Sequence, residues 1–186
     1  MTSIAPSLIR LPSPIGRLEI TADSDCILSL SIERDGRLPL EESPESPSSL
    51  LERAAVELGE YFAGTRTGFD LPVRLTGGTV FQQSVWQRLA GLRFGEVISY
   101  GELGASIGRP GSGRAIGGAV GANPIPILVG CHRVLAANGR ITGYSGGNGI
   151  PTKVWLLDHE GIAHVAGGPV GTAFAGFEPA GIEHDA

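Results

Sequence analysis

A cysteine and a histidine, Cys131 and His132, stand side by side at the end of Pro124-Ile125-Pro126-Ile127-Leu128-Val129-Gly130. The thiolate is the nucleophile of cysteine chemistry, and an adjacent imidazole could take the thiol proton, so the pair is a candidate reactive centre. An isolated cysteine is more often a small buried hydrophobe, and the pair gains meaning only from its surroundings. Groups that could serve a site lie on both sides of it. Upstream are Tyr100, Arg114 and the run Ala115-Ile116-Gly117-Gly118-Ala119-Val120-Gly121-Ala122-Asn123; downstream are Tyr144-Ser145 and Glu160.

The elements that must position these residues are read from caps and periodicity. Leu18 to Ala22 and Ile27 to Ile32 flank the turn-like Asp23-Ser24-Asp25, and Leu28, Leu30 and Ile32 alternate with Ser29 and Ser31, which predicts a hairpin with one buried face. Cys26 opens its second strand as a packing residue. Asp35 to Pro47, rich in Glu, Ser and Pro, predicts a loop with little power to order itself. Ser49 with Glu52 reads as a capping box for a helix carrying Leu50, Leu51, Ala54, Ala55, Leu58 and Phe62 at helical spacing, with Gly64 as its stop. A short strand is expected near Phe69 to Leu75, and Thr76-Gly77-Gly78 ends a first domain, residues 1–78.

Two further capping boxes follow, Thr79 with Gln82 and Ser99 with Glu102. The first opens a helix lined by Phe81, Val85, Leu89 and Leu92, and the second opens a short helix through Ile107. Gly108 to Gly111 break the chain before a helix from about Ser112 to Ala122, which makes a helix-turn-helix. Ala136 to Ile141 reads as a hairpin with a primed turn at Asn138-Gly139, so the arrangement is a winged helix with Cys131 between recognition helix and wing. Pro151 fits the first turn of a last helix that carries Val154, Trp155 and Leu157 and stops at Gly161. Residues 79–163 thus form a second domain, and 164–186 are a patternless tail expected to be disordered. Gly117, Gly118 and Gly121 each cost roughly 1 kcal/mol of helix propensity relative to alanine. Close approach to the minor groove of DNA would explain them, and so would tight packing against another helix.

Composition sets limits on the function. The chain has 186 residues, two cysteines and a net charge of −5. No run approaches the roughly eighteen apolar residues of a membrane span, and the N-terminus lacks a basic region followed by a long apolar core, so a cytoplasmic protein with reduced thiols and no membrane partner is expected. Residues 1–78 hold seven arginines against twelve acidic groups, whereas residues 79–163 hold six arginines and Lys153 against four. Positive charge therefore gathers where the motifs are, which permits contact with phosphates.

Taken in order and spacing, Ser99-Tyr100-Gly101-Glu102, Arg114 to Asn123, Gly130-Cys131-His132-Arg133-Val134, Gly143-Tyr144-Ser145-Gly146-Gly147 and Lys153 to Gly161 resemble the O6-alkylguanine-DNA alkyltransferases, over the block from about Phe81 to Gly161. The resemblance implies an α+β fold: a small RNase H-like domain of antiparallel strands and a helix, then a helical winged helix-turn-helix domain with the active site. It implies direct, single-turnover transfer of an alkyl group from O6 of a flipped guanine to Cys131, with His132 taking the thiol proton through a water and Glu160 orienting the imidazole. It further implies Arg114 as the finger that fills the gap in the base stack, Tyr100 as the aid to base rotation and proton donor, and Asn123 as the brace of the turn. Tyr144, Ser145, Val134 and Pro126 would then line the guanine site, with Ala115, Gly117, Gly118, Ala119 and Gly121 against DNA. Arg133 would be structural or phosphate-facing. The implied partner is double-stranded DNA containing O6-alkylguanine, bound by a monomer, with cooperative binding left open and no cofactor or metal. Residues 1–78 contain only Cys26 and no histidine, so the zinc site of some relatives is absent.

The sequence departs from that pattern at three places. Gly130 stands where the family has proline, and glycine frees the backbone that proline would fix. Gly121 stands where some relatives have arginine, and two additional residues lengthen Asn148 to Thr152. His159 and His164 read as surface residues. Three other functions are open: a non-enzymatic sensor of alkylated DNA, a Cys-His-Glu hydrolase, and a transcription factor with an incidental cysteine. The first would lack the nucleophile, the second leaves the helix-turn-helix unexplained, and the third wants a dimer interface.

Overall fold

The computed structural model describes residues 6–165, so the tail expected to be disordered lies, from residue 166, outside the described residues. Strands β1 (Ser7–Leu11), β2 (Leu18–Ala22) and β3 (Ile27–Ile32) form an antiparallel sheet in that order, with Ile9 opposite Ile20 and Ile20 opposite Leu30. The expected hairpin is β2–β3, its turn held by Asp23 Oδ1, which accepts from the N–H groups of Asp25 and Cys26. β1 has no counterpart in the sequence-based reading, because Leu8 to Leu11 does not alternate between apolar and polar.

As the central strand, β2 is buried throughout. Leu18, Ile20 and Ala22 enter the core, while Glu19 is satisfied by Arg10 Nε at 3.0 Å and the Leu40 N–H at 2.9 Å. These contacts, a bridge between Leu8 and Ser46, the Arg17–Glu41 ion pair and the buried Leu38 order the segment 35–47. The expectation of a poorly ordered loop is corrected accordingly: ion pairs and backbone bridges do the work that apolar residues do elsewhere. Helix α1 (Ser49–Phe62) is capped by Ser48, one residue earlier than expected, through the Leu51 N–H. Its buried face is Leu51, Ala54, Glu57, Leu58 and Tyr61, a rotation that seats Tyr61 rather than Phe62 in the core. The strand expected near Phe69 to Leu75 is a single bridge from Val73 to Ile27.

Both capping boxes of the second half form, on α2 (Val80–Ala90) and α3 (Tyr100–Ser106). Gly104 lets α3 approach its neighbours, since a Cβ there would lie 2.8 Å from the Arg109 carbonyl. Helix α4 (Gly113–Gly121) follows and is tied to α2 by the Trp86 indole, whose Nε1 donates to the Ala119 carbonyl at 2.8 Å. A two-stranded parallel sheet joins β4 (Ile98–Ser99) to β5 (Val134–Leu135). The turn after β5 is closed by Gly139 N–H to Ala136 O and Ala136 N–H to Arg140 O. Only Gly139 has positive φ there, so the expected primed turn, which needs positive φ at Asn138 as well, is corrected to a tight turn with a left-handed glycine. Helix α5 (Ile150–His159) has Pro151 in its first turn. Buried residues of both halves share one apolar cluster. Both cysteines are free, and no helix among the described residues is long and apolar enough to cross a membrane.

Candidate active site

The segment between α4 and β5 brings the reactive residues to the junction of the two halves. Asn123 organises it: its Nδ2 donates to the Val129 carbonyl at 2.9 Å and its Oδ1 accepts the Ile125 N–H at 3.1 Å. The turn so braced holds Ile127 at φ 74, a left-handed conformation that costs a branched residue on the order of 1–3 kcal/mol. A short 3-10 helix, Cys131–Arg133, follows, with all three of its side chains buried.

Glu160, at the C-cap of α5, is the hub of the cluster. Its Oε1 accepts from His132 Nε2, Tyr61 Oη and Arg133 Nη2, each at 2.8 Å. Its Oε2 accepts from Arg133 Nε at 2.8 Å and the Gly95 N–H at 3.1 Å. Burial alone would raise its pKa, but the hydrogen bonds from His132 and Arg133 outweigh that effect and hold the carboxyl well below the usual carboxylate range. A carboxylate only accepts, so His132 Nε2 carries its proton and Nδ1 presents a lone pair. Nδ1 is buried without a hydrogen-bond partner among the described residues. Burial lowers the His132 pKa, against the pull of Glu160, so the neutral base prevails near pH 7.

The Cys131 thiol lies 3.9 Å from the Tyr144 hydroxyl. Burial pushes its pKa up, and hydrogen bonding with Asn123 and Tyr144 and the nearby Lys153 charge pull it partly back. Lys153 is itself 1 % exposed. Its Nζ donates to the Val134 carbonyl at 2.6 Å, and desolvation brings its pKa down to about 8. Cys131 borders a pocket of about 410 Å³ shared with Tyr100, Arg114, Gly117, Gly121, Tyr144 and Ser145. Thr142 donates to the Tyr100 hydroxyl at 3.3 Å, and Ser145 Oγ donates to the Gly121 carbonyl at 2.7 Å. From the first half of the chain, Arg34 donates to the carbonyls of Ser145 and Gly147 at 2.8 and 2.9 Å and fastens the loop that carries Tyr144.

The sequence matches the model of the 6-O-methylguanine DNA methyltransferase ribonuclease-like domain over residues 9–75 and that of the DNA binding domain of the same enzyme over residues 80–162. The chain belongs to the 6-O-methylguanine DNA methyltransferase family. Methylated-DNA–protein-cysteine methyltransferase of Haemophilus influenzae is 38% identical over 165 residues, which are 87% of this chain and 89% of that protein. The protein of the same name from Salmonella typhimurium is 49% identical over 119 residues, 64% of this chain; the match spans 66% of that relative's length. A crystal structure of the Mycobacterium tuberculosis enzyme in complex with DNA superposes with a TM-score of 0.74 at 39% identity, covering 83% of this chain and 93% of that one.

Within this family fold the residues singled out in the sequence separate into two groups. Tyr100, Arg114, Gly117, Gly121, Tyr144 and Ser145 meet Cys131 around one pocket, and His132, Glu160 and Asn123 stand behind it. Ala115 and Gly118 are exposed on α4 but do not border the pocket. Ala119 is 2% exposed and its carbonyl accepts from the Trp86 indole, so its side chain offers almost no surface for a DNA contact. Val134 and Pro126 are buried and do not border this pocket; Val134 acts through its carbonyl on Lys153, and Pro126 lines an adjoining groove that Gly121, Cys131 and Ser145 also border. Arg133 does not face phosphate, because it is 5% exposed and committed to Glu160 and to the Leu92 carbonyl at 2.7 Å. His159 and His164 are not free surface groups either: His159 stacks on Trp155 and donates to the Tyr61 carbonyl, and His164 bonds the Ile162 carbonyl. Gly130 has φ −70, which proline would accept, yet a Cβ there would lie 2.7 Å from Arg133 Nη1. The glycine thus leaves room for the buried Arg133 side chain.

Three residues of the site escaped the sequence-based reading: Tyr61, Lys153 and Arg34. Lys153 carried a signal, since Lys153, Leu156, Leu157 and Glu160 recur at the spacing of one helix face and all are buried.

Proposed function

We propose that this chain repairs alkylated DNA by moving an alkyl group from O6 of guanine to its own Cys131, once per molecule. The observation that carries this reading is the position of the Cys131 thiol at a pocket walled by α4 of the helix-turn-helix, next to a buried His132–Glu160 pair with an open acceptor nitrogen. A flipped nucleotide that enters past α4 would put its O6-alkyl carbon against sulfur, with Tyr100 and Tyr144 on the pocket walls and Arg114 at the rim to fill the stack. The S–C bond forms as the C–O6 bond breaks. The thiol proton passes through a water to Nδ1 of His132, and the departing guanine gains a proton from the Tyr100 phenol; solvent then restores both groups.

The open face of α4 supports DNA as the partner. A Cβ at Gly118 would meet nothing within 4 Å and one at Gly117 only Tyr100 at 3.9 Å, so packing against the described residues does not explain these glycines. Close approach by a nucleic-acid groove does. The product is a thioether, which no group in the site can dealkylate, so each molecule reacts once, as a cytoplasmic monomer with domains at 1–78 and 79–163. Titrating the protein against an excess of duplex containing O6-methylguanine tests this: repaired lesion should plateau at one equivalent. Repair that continues past one equivalent contradicts self-alkylation, and tight lesion binding without repair supports a sensor instead.

A further inference from the structure

Tyr61 belongs to α1 in the first half of the chain, yet it is fully buried with its hydroxyl 2.8 Å from Glu160 Oε1, 99 residues away. The contact is fixed at both ends. The Tyr61 ring is enclosed by Phe62, Phe69 and Phe94 and meets His159 edge-on at 4.8 Å, while the Tyr61 carbonyl takes a 2.7 Å hydrogen bond from His159 Nε2. Burial raises the phenol's pKa, so it stays protonated and can only act as donor to the carboxylate.

We propose that Tyr61 is a positioning residue for the alkyl transfer, through which the N-terminal domain tunes the base His132 by sharing Oε1 of Glu160 with it. This rests on the reading of His132 as the base. Oε1 takes one neutral donor from Tyr61, one from His132 and a cationic one from Arg133. Each donor withdraws charge from the oxygen, so removing the neutral phenol leaves more negative charge facing the imidazole and favours its protonated form. The other ionisable groups around the pair are Arg133 and Lys153, which oppose protonation of His132, and His159, Cys131 and Tyr144, which border the cluster.

The test is the pH profile of the single-turnover transfer rate on O6-methylguanine duplex, for the native protein, Tyr61→Phe and Phe69→Leu. Tyr61→Phe keeps the ring and should move the acid limb to higher pH by about half a unit or more, the scale of one lost hydrogen bond. Phe69→Leu loosens the cage without touching the hydroxyl and should leave the limb in place, whatever it does to Tm. Site-specific 3-fluorotyrosine at position 61, a stronger donor, should move the limb the other way and covers the case in which Tyr61→Phe does not fold. An acid limb unchanged in both Tyr61 replacements, or shifted equally in Phe69→Leu, overturns the proposal. Absence of transfer by the native protein would instead remove the reading of His132 on which it stands.

Discussion

His132 Nε2 lies 2.8 Å from Glu160 Oε1, and both side chains are withdrawn from solvent. The donor must be the imidazole, so the nitrogen left with a free lone pair, and proposed to take the thiol proton, is Nδ1, in a ring whose pKa burial keeps below 6.5. The transfer rate should therefore hold from neutral pH down past 6.5 and fall only in more acid solution. The same shift has a stability consequence. Between the lowered folded value and the unfolded value near 6.5 the unfolded chain binds a proton that the folded chain does not, so stability from this group falls as pH drops through that window. Stopped single-turnover assays and urea midpoints over the same pH range check both; a loss of rate centred above pH 7 would contradict the assignment.

Lys153 makes the opposite kind of prediction. Its folded pKa of about 8 lies below the ordinary value of 10.5, so above pH 8 the folded state sheds a proton that the unfolded state keeps. The stability of the native protein relative to Lys153→Met should rise between pH 8 and 10.5, by roughly 2–3 kcal/mol at the upper end. Denaturation of both proteins at pH 7.5 and 10.5 measures it, and a flat difference would mean that the ammonium is better solvated than its 1 % exposure implies.

Gly118 separates stability from binding. A Cβ there meets nothing within 4 Å, so Gly118→Ala should raise stability by up to about 1 kcal/mol through helix propensity. If α4 is pressed against DNA, the same methyl should weaken binding to duplex several-fold. Thermal melts and fluorescence anisotropy report the two effects; unchanged affinity would remove the close-approach account of the glycine-rich helix.

How far the sequence spoke follows from the kind of interaction involved. The capping boxes at Thr79 and Ser99 and the Cys131–His132 pair are local, and they were legible because a few neighbouring residues determine them. Ser48 displaced Ser49 as a cap because two serines in a row offer the same chemistry and only the register of the buried face chooses between them. Tyr61 and Arg34 were not legible: each acts across more than ninety residues on a group whose position depends on how the two halves dock. For Arg133 the sequence left a structural and a phosphate-facing role open, and only the docked position of Glu160, which the guanidinium turns inward to neutralise, chooses the first; the same side chain takes the space beside Gly130 that a Cβ would enter.

The central claim is a covalent bond at one sulfur, and intact-protein mass after incubation with an O6-methylguanine duplex tests it most directly, for the native chain and for Cys131→Ala. The native protein should gain one methyl group in place of the thiol proton, located on Cys131 by peptide mapping and abolished by Cys131→Ala, while Cys26 remains unmodified. A native protein whose mass does not change, or one methylated equally well without Cys131, would contradict the account.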